Sequence, residues 1–147
     1  MNYANLLIKR YNVLGMKKEL FVVAAAIIKD NKVFSAQRGN KGKTAFKWEF
    51  PGGKIEQGET PEEALARELK EELSIDVKVH ELITNIIDEY DDVILHIATY
   101  RCELVSGEPV LSEHIAKVWS DKFELDNLEF SAADKPTLDK IKKEYLC

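Results

Sequence analysis

The helix signal over residues 61–73 constrains the fold of this sequence more than any other feature. Thr60 is an N-cap candidate, Pro61 takes the first helical position, and Glu63 completes a capping box. The segment 64–73 contains no glycine, proline or β-branched residue, so helix propensity is favourable along its whole length. A chain that forms this helix must bury its apolar side against another layer.

The apolar side of the helix is a single stripe. Leu65, Leu69 and Leu73 align at about 100° per residue, and we expect them to form the core contact. Strand-like runs can supply the opposing layer: 21–28, 33–37, 75–79, 82–87 and 93–104. A second helix is expected from about Pro136 to Leu146. Strands interleaved with two separated helices predict a mixed α/β layer fold.

A second face of the same helix is acidic. Glu68, Glu71 and Glu72 stand at i, i+3 and i+4, where each like-charged pair costs about 0.2–0.5 kcal/mol on an exposed helix. They also lie towards the negative end of the helix dipole. A divalent cation reverses this balance, because hard oxygen ligands on one face suit Mg²⁺ or Mn²⁺. The alternative is a solvated acidic face.

The segment before the helix helps to distinguish a metal site from a solvated acidic face. Gly52 and Gly53 let the backbone approach a ligand closely, and a glycine carbonyl can itself be an oxygen ligand. Glu59 and Arg67 are spaced so that they can pair and join the loop to the helix. The alternative for that pair is a surface salt bridge worth about 0–1 kcal/mol.

Length and composition narrow the class of protein. The sequence has 147 residues, which suits one domain, and we assign residues 16–147 to it and residues 1–15 to an extension of uncertain origin. A net charge of -5 disfavours binding to a nucleic acid polymer. No run reaches the roughly 18 apolar residues of a membrane span. Cys102 and Cys147 form no disulfide framework, so we expect a reduced, cytoplasmic chain.

Residues 53–75 resemble the Nudix box. The family pattern is matched at eight positions: Gly53, Glu59, Arg67, Glu68, Leu69, Glu71, Glu72 and Ile75. Ser74 departs from the pattern, because the family usually has glycine there. A serine held at positive φ after the helix costs about 1 kcal/mol, and no metal ligand is lost by the change.

The resemblance implies both a fold and a chemistry. Nudix proteins are α/β/α sandwiches with a mixed central sheet, and they hydrolyse nucleoside diphosphates linked to another group with Mg²⁺ or Mn²⁺. By the resemblance, Glu68, Glu71 and Glu72 are metal ligands, together with the Gly52 carbonyl. Glu68 also positions or deprotonates the attacking water. By the same resemblance, the expected catalytic residues are Glu68, Arg67 and Glu71.

Other residues take roles by the same resemblance. The brace that orients the carboxylates consists of Gly53, Glu59 and Arg67. Glu113 is a further candidate metal ligand or base. Arg38 and Lys54 match positions that contact the triphosphate in similar members.

Within the family the sequence is most similar to MutT-like nucleoside triphosphate pyrophosphohydrolases, which release a nucleoside monophosphate and pyrophosphate. Asp134 occupies the base-reading position before the last helix, as in bacterial enzymes acting on cytosine nucleotides. The expected substrates are CTP, dCTP, 5-methyl-dCTP or 8-oxo-dGTP, and the activity suggests sanitising of the nucleotide pool. An ionised carboxylate can accept from the exocyclic amine of cytosine, and it can equally accept from the N–H groups of a guanine. Capping of the last helix is the alternative role of Asp134.

Three other functions are also compatible with the sequence. The chain could hydrolyse ADP-ribose or a dinucleoside polyphosphate instead, or it could bind nucleotides without hydrolysing them. The sequence is compatible with a monomer or a homodimer.

Overall fold

The computed structural model describes residues 17–147. The predicted extension 1–15 and the start of the domain at Met16 lie outside these residues. Seven strands lie within residues 17–147: β1 Lys18–Lys29, β2 Lys32–Gln37, β3 Trp48–Glu49, β4 Gly52–Lys54, β5 Asp76–Glu89, β6 Val93–Ser106 and β7 Ala116–Ser120. The α-helices of this part of the chain are α1 Pro61–Leu73 and α2 Lys135–Glu144, and it has short 3₁₀ turns at Glu124–Asn127 and Ala132–Asp134.

The strands form one mixed sheet. Its main path runs β3-β2-β1-β6-β5, with β4 added beside β1 and β7 beside β2. β1 is parallel to β6, whereas its pairings with β2 and β4 are antiparallel. β1 therefore connects the two halves of the sheet.

Successive side chains of β1 serve two separate cores, because neighbours along a strand point to opposite faces. Val23 and Ala25 pack in one cluster with Leu69 of α1. Ala26 packs in the other cluster with Ile141 of α2. The two helices therefore cover opposite faces of the sheet, which confirms the predicted α/β/α sandwich.

Helix α1 begins and ends where the sequence predicts. Thr60 Oγ1 accepts a hydrogen bond from the backbone N–H of Glu63 at 3.1 Å. The predicted stripe of Leu65, Leu69 and Leu73 is fully buried. Apolar burial of this kind, rather than helix propensity, provides most of the stability of such a helix.

Two predicted boundaries were wrong, and strand β7 was missed. The runs 75–79 and 82–87 belong to one continuous strand, β5, whose pairing with β6 shifts register near Leu82. Helix α2 ends at Glu144 rather than at Leu146. Strand β7 was not predicted, because its five residues become a strand only by pairing along β2.

Ser74 ends α1 in the left-handed conformation, with φ 57° and ψ 37°. Its N–H donates to the carbonyl of Lys70 at 3.1 Å. This is the geometry in which glycine is favoured, since a side chain there crowds the following carbonyl.

We expect Ser74→Gly to raise the free energy of unfolding by about 1 kcal/mol, because glycine removes the left-handed strain. Urea denaturation with matched m-values measures this difference. A decrease in stability would mean that contacts of the serine outweigh the strain.

Candidate active site

Two adjoining cavities open where β4 meets β1. The acidic cavity, of about 720 Å³, is lined by Arg38, Lys41, Glu49, Glu72 and Glu113 among others. The sheet cavity, of about 400 Å³, is lined by residues that include Val22, Asp88, Tyr90, Ser131 and Asp134. Arg38, Glu49 and Gly52 line both cavities, so one ligand can extend from one into the other.

Arg67 lies at the centre of a charged network behind the acidic cavity. Its Nε and Nη2 donate to the two oxygens of Glu59 at 2.6 and 2.9 Å, a bidentate pair. Its Nη1 donates to Glu68 at 3.0 Å and to Glu71 at 3.2 Å, and Nη2 also reaches the Lys54 carbonyl at 3.1 Å. The hydrogen bonds from Arg67 lower the pKa of Glu59. The loop, the helix and two carboxylates of the box are thus held by one side chain.

Glu72 is the most perturbed carboxyl of the acidic cavity. Its Oε2 is buried and has no hydrogen-bond partner in the structure. Burial raises its pKa to about 8, and the charges of Glu68, Glu113 and Glu49 add to the shift. A buried carboxylate among like charges is costly unless a cation or a proton compensates it.

The glycine pair has two different roles. A Cβ at Gly53 would lie 2.4 Å from Cδ of Glu68, so this glycine makes room for the Glu68 carboxyl. A Cβ at Gly52 would lie 1.9 Å from the carbonyl oxygen of Val23, so that glycine permits the close pairing of β4 with β1.

The donor set fits a hard divalent cation, although it is not gathered into a finished site. Within residues 17–147, no three histidine, cysteine or acidic side chains already form a metal-binding group. Glu71 is 60% exposed and turned to Arg67. Glu72 keeps a buried oxygen without a partner beside Glu68. Carboxylate oxygens that repel one another in this way are the ligands that Mg²⁺ prefers.

Sequence reasoning missed Glu49. Its Oε1 lies 3.1 Å from Nη1 of Arg38, and its Oε2 lies 3.1 Å from Nε2 of His114. Arg38 Nε and His114 Nδ1 are buried without partners. The available signal was alternation: Phe50, next along the chain, is buried, so Glu49 points the other way.

Of the remaining predicted residues, Glu113 lines the acidic cavity and Lys54 does not. Glu113 is exposed and lines the acidic cavity, where its charge acts on Glu72. Lys54 is exposed and is not among the residues that line either cavity, although its carbonyl binds Arg67.

Asp134 lies in the sheet cavity and is only 8% exposed. It accepts a hydrogen bond from Ser131 Oγ at 3.0 Å, and its side chain makes no capping bond to α2. Burial raises its pKa to about 7, with a further contribution from the charges of Glu49 and Asp88. The helix-capping alternative is therefore wrong, and the carboxyl is left to face the cavity.

A family model described as "NUDIX domain" matches residues 19–143. This chain belongs to the Nudix family. The match spans all but the first residue of β1 and the last residue of α2, so it covers the box and both cavities.

Relatives of the Nudix chain agree on the class of enzyme. It is 37% identical to the CTP pyrophosphohydrolase of Escherichia coli, over 83% of this chain and 90% of that protein. It is 34% identical to the 8-oxo-dGTP diphosphatase of E. coli, over 87% and 99%. The solution structure of a MutT Nudix hydrolase from Staphylococcus aureus has 43% identity and a TM-score of 0.74, over 88% and 99%.

The chain is accordingly a Nudix hydrolase, an enzyme of a family whose members generally use divalent metals. None of the helices within residues 17–147 is both long and apolar enough to cross a membrane.

Proposed function

We propose that this Nudix hydrolase cleaves (deoxy)nucleoside triphosphates to the monophosphate and pyrophosphate with Mg²⁺. The observation that carries the proposal is the buried, partnerless oxygen of Glu72 beside Glu68, in a cavity that Arg38 also lines. The uncompensated carboxylate of Glu72 requires a metal cation, and the guanidinium of Arg38 can bind phosphate. The names of the CTP and 8-oxo-dGTP relatives support the same substrate class.

The residues proposed to hold the ion are Glu68, Glu71, Glu72 and Glu113, with the carbonyl of Gly52. Mg²⁺, or Mn²⁺ in its place, supplies charge neutralisation and polarisation of the phosphate when bound. Glu71 must turn from Arg67 towards the cavity to take part, and its exposure leaves it free to do so.

The chain's own side chains supply the rest of the chemistry. Arg38 binds the triphosphate and keeps it in line for attack, with Lys54 as the predicted second contact. Glu68 accepts the proton of the attacking water as the water oxygen bonds to phosphorus and the P–O bond between the monophosphate and the pyrophosphate breaks. Arg67 and Glu59 are positioning residues, because they fix the carboxyl of Glu68 rather than touch the substrate.

The sheet cavity is proposed to hold the base, with Asp134 at its edge. In the ionised form Asp134 accepts from an amine such as that of cytosine, and in the neutral form it can also donate. A pKa of about 7 makes both forms available near neutral pH. CTP, dCTP, 5-methyl-dCTP and 8-oxo-dGTP are the candidate substrates, which fits a role in nucleotide-pool sanitising.

Pyrophosphate release in Mg²⁺ tests the proposal, with CTP, dCTP, 5-methyl-dCTP, dGTP and 8-oxo-dGTP compared side by side. We expect release from at least one triphosphate and its loss in excess EDTA. No release from any of them would overturn the proposal. ADP-ribose and dinucleoside polyphosphates would then be the next substrates assayed, followed by nucleotide binding without turnover.

Asp134→Asn should change the ranking of bases by about tenfold or more in kcat/KM, because the amide replaces an acceptor with a donor. Competition between CTP and 8-oxo-dGTP measures the ranking directly. Asp139→Asn is the matched control, because Asp139 is an exposed aspartate of α2 that does not line the sheet cavity. An equal loss for every base would assign Asp134 to the fold rather than to base reading.

A further inference from the structure

Two connecting segments that are far apart in the sequence come together at the sheet cavity. Lys43 belongs to the loop between β2 and β3, and Tyr90 belongs to the turn between β5 and β6. The ammonium of Lys43 lies 5.5 Å from the centroid of the Tyr90 ring, within the range of a cation–π contact. Both side chains line the sheet cavity.

The Tyr90 ring is held in place by its own turn. Its backbone N–H donates to the Val93 carbonyl at 2.8 Å. The nearby carboxyl of Asp88 and partial burial raise the pKa of the phenol to about 12, so the ring stays neutral. A half-buried, neutral aromatic ring is suited to stacking.

Residues of the sheet form an apolar part of the lining of the same cavity. Val22 comes from β1, and Leu95 and Ile97 come from the neighbouring β6. A cavity with an apolar side, an aromatic ring and a polar group such as Asp134 suits a flat heterocycle. Lys43 brings a positive charge to a cavity that Asp88 and Asp134 also line.

We propose that Lys43 and Tyr90 form a clasp over the nucleobase, which sets the affinity for the nucleoside part of the substrate and leaves the phosphate chemistry unchanged. The clasp rests on the proposed function in that it assigns the sheet cavity to the base. Tyr90 is then a binding residue, and Lys43 acts chiefly through the ring that it contacts.

Calorimetric titration in EDTA tests the clasp without relying on turnover. The probes are CTP, GTP and inorganic triphosphate, the last of which lacks a base. Tyr90→Ala should weaken binding of a nucleotide about tenfold, which is within the range of one lost stacking contact, and should leave inorganic triphosphate unchanged. Tyr90→Phe keeps the ring and should stay within about threefold of the wild type.

Lys43 is tested with the same probes. Lys43→Ala should weaken nucleotide binding about threefold, and Lys43→Arg should restore it, because arginine also makes cation–π contacts. In the Tyr90→Ala background, Lys43→Ala should have no further effect on nucleotide binding, since its partner is gone. Thermal unfolding of each variant serves as the control for the fold.

Three results would overturn the clasp, and a fourth would separate it from the proposed function. Unchanged nucleotide binding in Tyr90→Ala overturns the clasp, as does a wild type that binds neither nucleotide. Equal weakening of nucleotides and inorganic triphosphate also overturns it, because the ring would then act on the phosphate end. A wild type that binds nucleotides through Tyr90 but releases no pyrophosphate would leave the clasp standing and refute the proposed function.

Discussion

Glu72→Gln should lower kcat by about a hundredfold or more while the protein stays folded. Glu72 is proposed as a metal ligand, and glutamine keeps its shape but removes the charge that would bind the cation. Pyrophosphate release at saturating Mg²⁺ measures the effect. Glu62→Gln is the matched control, because Glu62 is an exposed glutamate in the first turn of the same helix.

The fold should tolerate the Glu72 change because of the direction of its pKa shift. The folded state holds the proton of Glu72 up to about pH 8, against an ordinary value of 4.5. Ionising this group therefore destabilises the folded state as pH rises between those values. In EDTA at pH 8, Glu72→Gln should unfold at the same temperature as the wild type or at a higher one. Unchanged turnover would remove Glu72 from the metal site.

Gly53→Ala should also abolish most turnover, by about a hundredfold, although it adds only a methyl group. The new Cβ would occupy the place of the Glu68 carboxyl, whose Cδ lies 2.4 Å from it. Glu68 can move aside because its side chain is flexible, so the loss should fall on catalysis rather than on folding. Steady-state kinetics and thermal unfolding separate the two effects.

Gly52→Ala provides the contrast for Gly53→Ala. Its Cβ would meet the Val23 carbonyl oxygen at 1.9 Å, and the three nearest atoms all belong to the backbone of Val23 and Ala24, which cannot move aside as a side chain can. We expect poor folding at position 52 and a folded, inactive protein at position 53. Full activity in Gly53→Ala would mean that the carboxyl of Glu68 needs no fixed position.

Local signals explain which parts of the fold could be predicted. The cap at Thr60 and the leucine stripe of α1 depend on neighbours within one or two turns, and both were predictable. Strand β7 depends on β2, some eighty residues earlier in the chain, and its own residues carry too short a pattern. The register shift near Leu82 is likewise a property of the pair β5–β6.

The same division holds for the site. The pairing of Glu59 with Arg67 could be anticipated from their spacing around α1. The environment of Asp134 could not, because its burial and the charges of Glu49 and Asp88 come from distant segments. The contacts of Glu49 could not be predicted for the same reason, because its partner His114 is 65 residues later in the sequence.

The parallel pairing of β1 with β6 has a consequence for how the protein is made. Lys18 pairs with Val93 and Ile27 with Cys102, so each partner stands 75 residues further along the chain. A growing chain on the ribosome therefore carries its most apolar strand without the neighbour that will cover its edge until β6 has emerged. Contacts of such long separation slow folding and prolong exposure to aggregation. The edge of β1 that pairs with β6 should accordingly stay uncovered until β6 leaves the exit tunnel, well after the box helix is complete.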